Sequence, residues 1–141
     1  MSFDPRDTAA FADFVRRQGR AVVATVAQSG APEAALVGVA ALDDGTLIFD
    51  TRDDSRKIHN LGRNGRVAIV VGTEGDVTVQ VEGVATIASG ASRDRHGTAY
   101  NEQFPGSRAL DQGFAVVVVQ PEWVRVYDAS ARPAVVTEAN W

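Results

Sequence analysis

The chain has no cysteine, a single lysine and only two histidines in 141 residues. Without cysteine there is no disulfide and no thiolate metal site, and thiol usage says nothing about redox compartment. His59 and His96 have no second histidine or carboxylate at a metal-ligating spacing, so both read as surface or structural residues and no metal is expected. No apolar run approaches the roughly 20 residues of a membrane-spanning helix. The start, MSFDPRDTAAF, is polar and acidic, with no basic n-region and no apolar h-region. The expectation is a cytoplasmic protein with no membrane partner. Internal repeats, low-complexity tracts and linkers are missing, as is any recognisable Ser/His/Asp arrangement. Asp43-Asp44-Gly45 reads as a turn, not a carboxylate pair.

What is present fits one globular domain over residues 1–141, with 45% apolar and 23% charged residues. Charge is unevenly spread. Residues 52–66 hold Arg52, Arg56, Lys57, Arg63 and Arg66 against Asp53 and Asp54, a local +3 in a chain whose net charge is −4. One small basic island on an acidic protein is a poor match for a nucleic-acid backbone, which needs a wide basic face. It suits a small anion.

Asp4, Pro5 and Asp7 read as helix-start signals, with Asp4 as N-cap, and Phe11, Phe14 and Val15 repeat at helical spacing up to Gly19. A first helix is therefore expected over about 5–18. Strands are expected at 21–27, 34–42 and 46–51, the last two joined by the Asp43-Asp44-Gly45 hairpin turn. Another is expected at 66–71. From Val77, apolar residues alternate with Thr78, Gln80 and Glu82, the mark of a strand with one wet face. A short helix is expected within 91–112, around Ala99, Tyr100 and Phe104. Two last strands, 114–119 and 123–127, flank Gln120-Pro121-Glu122, and the tail from Ala129 shows no regular period. Short turns make neighbouring strands antiparallel, and too few helices exist for parallel crossovers. The order predicts a mainly β fold: a six-stranded antiparallel barrel with peripheral helices.

The basic island falls at a helix start. Asp54 is placed to cap it, which puts Ser55, Arg56 and Lys57 in a first turn whose N–H groups lack intrahelical partners. Two readings stay open. The turn is either a capped, solvated helix start or an anion socket made of amides, a hydroxyl, a guanidinium and an ammonium. Cations in a first turn oppose the helix dipole, which makes the pair unexpected unless an anion is bound. Ile58 and Leu61 would anchor the helix to the barrel. Tyr100 and Phe104 read as packing, and Trp123 and Tyr127 as core residues or as flanks for a planar ring.

The run FDT, a spacer, SRK, then N-L and NGRVAIVV, followed by VTVQVEGVATI, resembles the pyridoxamine 5′-phosphate oxidase-like FMN-binding split-barrel family over about residues 10–88. The resemblance implies a split barrel that binds FMN as a homodimer, with each site completed by the second chain. It implies that Arg56 and Lys57 hold the FMN phosphate, that Ser55 and Thr51 supply hydroxyls, and that Asp50 lies beside the ribityl chain. The strand backbone of Ala35, Leu36, Val37 and Gly38 would run along the isoalloxazine edge. Thr78 stands where the oxidases proper use glutamine.

Two departures count against vitamin B6 oxidation. Ala35 replaces an arginine of the oxidases, and Arg125-Val126-Tyr127 stands in place of their terminal arginine-x-histidine extension. The resemblance then implies a flavin oxidoreductase acting on a small molecule, with NAD(P)H a candidate donor and no catalytic side chain identified. Its alternatives are a reductase using the deazaflavin F420, or a non-catalytic flavin- or haem-binding stress-associated module.

Overall fold

The structure is a computed structural model that describes residues 2–141. Helix α1 (Thr8–Gln18) is capped not by Asp4 but by Asp7, whose carboxylate accepts the Ala10 amide at 3.0 Å. Asp4 is instead committed to a local turn, taking the Arg6 amide at 2.9 Å and pairing with its guanidinium. The helix stops at Gly19, whose φ of 70° lets its N–H return to the Val15 carbonyl.

Strands β1 (Arg20–Val26) and β2 (Pro32–Gly38) form a hairpin. After the single residue Val39 come β3 (Ala40–Ala41), β4 (Leu47–Arg52), α2 (Arg56–Arg63) and β5 (Arg66–Val71). The chain continues through β6 (Val77–Ile87), α3 (Gly90–Gln103), β7 (Phe114–Asp128) and β8 (Val135–Asn140). The pairing order is β2-β1-β5-β6-β7-β4-β3, every pair antiparallel, with β8 on β7. The order begins with β2 and ends with β3, which are neighbours in the chain across Val39. The sheet therefore curls back on itself, as the expected barrel requires.

The barrel's split lies at β7. One edge of β7 pairs with β6 along most of its length, while the other is shared. Residues 114–119 pair with β4, and 123–128 pair with β8. Here the structure corrects two expectations, since 114–127 is one strand and the tail forms another. Pro121 does not end β7, because a bulge absorbs it: Glu82 faces Trp123, Gly83 faces Pro121, and Glu122 is the extra residue. Gly83 permits the close approach, since a Cβ there would lie 2.4 Å from the Gln120 carbonyl oxygen. The freed Glu122 carbonyl is taken by the Trp141 amide at 2.9 Å. Strand β8 escaped notice because nearly all of it is exposed on both faces, which leaves no alternation to read.

The barrel interior is lined by Val23, Ile69, Val79, Val81, Val117, Val119, Val124 and Val126, with Phe11, Phe14 and Val15 of α1 packed in. The wall made by β4 and β7 is buried on both sides. Leu47 and Phe49 face the interior, while Ile48, Val116 and Val118 face Tyr100 of α3 and Ala109 in the segment after it. That is why LIF and AVVVV are apolar at every position. Trp141 packs edge-on to Phe11 at 5.0 Å, and its indole N–H donates to the Pro5 carbonyl at 2.7 Å.

Candidate functional site

Helix α2 starts one residue later than expected. Ser55 takes the N-cap position, because the Asp54 carboxylate is held by Arg52 at 3.1 Å. The Ser55 hydroxyl does not cap the helix; it accepts from the Thr51 hydroxyl at 3.2 Å. Neither the Arg56 nor the Lys57 amide has a hydrogen-bond partner among the described residues. The first turn thus presents two free donors and two cationic side chains, as an anion site needs.

This turn faces the first strands. Arg56 and Lys57 line a cavity of about 360 Å³ together with Thr25 of β1 and Glu33, Ala34 and Ala35 of β2. Strand β2 pairs with β1 alone, so the edge of Ala35, Leu36, Val37 and Gly38 away from β1 carries no ladder. Leu36 points outward and is 57% exposed, whereas Val37 turns toward the core. At the far end of the edge, Gly38 leaves room for the Tyr100 hydroxyl, which would lie 2.7 Å from any Cβ placed there.

Of the expected residues, only Ala35, Arg56 and Lys57 line this cavity. Asp50 and Thr51 are adjacent on a strand and so project to opposite faces. Thr51 meets Ser55, while Asp50 faces α3 and Tyr100. Thr78 lies on the outer face of β6, across from Tyr127, and lines a different cavity of about 310 Å³ with Val70, Gln80, Arg125 and Tyr127. Tyr100 stacks on Phe104 at 4.7 Å, consistent with a packing role. His96 bonds through Nδ1 to the Ser92 carbonyl of its own helix at 2.8 Å.

Burial, and then the nearby Asp50 carboxylate, push the Tyr100 hydroxyl well above its ordinary pKa of 10.0. A raised pKa in the fold favours the neutral phenol. The stability it contributes is full below about pH 10 and is lost as pH rises beyond that. Wild-type stability is therefore expected to fall above pH 10, and Tyr100→Phe to flatten that limb in denaturant titrations. Parallel losses in both proteins would refute this.

Three polar residues at the site were missed. Asn60 is only 4% exposed, and its amide donates to the Thr25 hydroxyl at 2.9 Å and to Glu33 Oε1 at 2.8 Å. Glu33 Oε2 accepts from Arg56 at 3.1 Å, and Arg63 donates to Asn60 Oδ1 at 3.2 Å. The Asn60 bond first, and then the Arg56 and Arg63 charges, hold the Glu33 carboxyl below its usual range. One signal was available: Thr25 is a hydroxyl at an inward position of an otherwise apolar strand. Of the basic island, Arg52 and Arg56 are neutralised by Asp54 and Glu33, while Lys57 forms no ion pair among the described residues.

Solved structures share this architecture. A haem-binding protein from Mycobacterium smegmatis superposes with a TM-score of 0.80 at 19% identity, covering 99% of this chain, which spans 60% of its length. A pyridoxamine 5′-phosphate oxidase-related, FMN-binding protein from Nostoc punctiforme gives 0.69 at 17% identity, covering 100% of this chain and 99% of that one. HutZ, a haem storage protein from Vibrio cholerae, gives 0.67 at 19% identity, with coverages of 85% and 92%. No curated protein matches the sequence. The family model described as pyridoxamine 5′-phosphate oxidase matches residues 7–128, nearly the whole barrel, and the chain belongs to that family.

Proposed function

We propose that this chain binds FMN and acts as a flavin-dependent oxidoreductase, with the phosphate at the first turn of α2 and the ring along the free edge of β2. The observation that carries the reading is the cavity in which Arg56 and Lys57 face the small residues Ala34 and Ala35. Its donor set suits a phosphate. A haem iron wants an imidazole, thiolate, thioether or phenolate ligand, and the cavity lining offers none.

Each residue has a defined task in this reading. Lys57 and Arg56 hold the phosphate with charge-assisted bonds, and the Ser55 hydroxyl, oriented by the bond it accepts from Thr51, adds a neutral one. The unpaired backbone edge from Ala35 to Gly38 faces the polar rim of the ring, where main-chain groups set its orientation. FMN, when bound, supplies the hydride and electron transfer, and the protein supplies placement. Leu36, Val70 and Tyr127 leave the outer sheet face partly apolar and exposed, which supports a homodimer that brings Thr78 and Arg125 to the partner's site. Small-molecule substrate and donor, NAD(P)H among them, would enter between the two chains.

Absorption and mass spectra of the molecule that accompanies the purified protein test this reading. A flavin spectrum and the mass of FMN, released on denaturation, are expected. Protein that stays colourless and does not respond to added FMN would overturn it. Parallel titration with F420 separates the two flavin-like cofactors, and a Soret band would move the assignment to haem.

A further inference from the structure

A carboxylate is an unexpected wall for an anion cavity, yet Glu33 forms one. Its side chain is 28% exposed and makes two bonds at once, to Arg56 and to the buried Asn60. Asn60 is itself fixed from behind by Thr25 and Arg63. Arg56 is the loose partner, with 85% of its side chain exposed. The carboxylate is therefore clamped on its inner side by a group that cannot follow it outward.

We propose that Glu33 is a resident counter-ion that selects ligands by the charge on their phosphate. The proposal rests on the cavity being a phosphate site, as argued above. With Arg56 and Lys57 opposed by a retained Glu33, the cavity carries a net single positive charge. A phosphodiester, with one negative charge, matches that balance. A terminal phosphomonoester brings a second charge at neutral pH, and that charge must lie against a carboxylate. Swinging Glu33 away would leave Asn60 short of an acceptor in a buried position, which is itself costly. The other charge behind Glu33 is Arg63 on α2, and β1 contributes only the neutral Thr25. Glu33 thus sets how strongly FMN is held relative to a flavin with an esterified phosphate.

Binding of FMN, of its methyl phosphodiester and of inorganic phosphate at pH 8 would be compared in wild type, Glu33→Gln and Glu33→Ala. Flavin fluorescence reads the first two ligands and calorimetry the third. Glu33→Gln keeps an oxygen for Asn60 while removing the charge; Glu33→Ala serves if the amide disturbs the fold, since the space it opens in the cavity admits water as the acceptor that Asn60 loses. The charge-removing variant should bind FMN about tenfold more tightly and the diester less than about twofold more tightly. Equal gains for both esters, or weaker FMN binding in both variants, would overturn the proposal. If no flavin binds any of the three proteins, the flavin reading fails and phosphate decides. Phosphate must then bind the variants more tightly than wild type, and unchanged affinity refutes the selection.

Discussion

Lys57→Ala is expected to weaken FMN binding by about 2 kcal/mol, roughly thirtyfold, because it removes a cation that forms no ion pair among the described residues. Its neighbour should matter less. Arg56 is mostly exposed and already bonded to Glu33, so bringing it to a phosphate exchanges one ion pair for another. Arg56→Ala is therefore expected to cost less than half as much. Flavin fluorescence titrations of the two variants measure this asymmetry directly. Equal losses would mean that Glu33 does not restrain Arg56, and no loss in either would return the turn to a solvated helix start. Thermal melts of the ligand-free proteins should barely move, since both side chains lie outside the core.

Phe11→Ala should be the most damaging change to stability, at about 3–5 kcal/mol. Phe11 is fully buried and touches Phe3 and Trp141 edge-on, so its removal opens a cavity where helix, barrel end and tail meet. Relaxation into that space is restricted, because Trp141 is held by its indole bond to Pro5 and by its amide bond to Glu122. Urea unfolding gives the comparison, with Val136→Ala on the exposed face of β8 as a control expected to stay within about 0.5 kcal/mol. A Phe11→Ala loss below about 1 kcal/mol would mean that α1 does not seal the barrel.

The barrel was legible because its strands obey period two and its hairpins carry glycine turns. Val77 to Glu82 alternated as a half-wet strand should, and the structure keeps that register. Where both faces or neither face is buried, periodicity fails. The β4–β7 wall, apolar throughout, hid the second packing layer, and β8, exposed throughout, hid itself. Pro121 misled for a different reason: a bulge lets a strand pass a residue that cannot donate to the ladder. At the site, Arg56, Lys57 and Ala35 were recoverable from sequence and do share a cavity. Glu33 was not, because its importance comes from a pairing across 27 positions with Asn60, which no local pattern encodes. Asp50 and Thr78 diverge from the cavity for the simplest reason, the alternation of a strand.

The bond from Trp141 to Pro5 joins residues 136 positions apart. Closing so long a loop is slow, and its entropy must be met before the contact returns anything. During synthesis, then, α1 emerges well before β8 and cannot dock in final form until that strand leaves the ribosome. Until then the apolar stripe of Phe11, Phe14 and Val15 has only part of its cover. A nascent chain stalled before β8 should be open to protease at α1, and one that carries β8 and Trp141 closed.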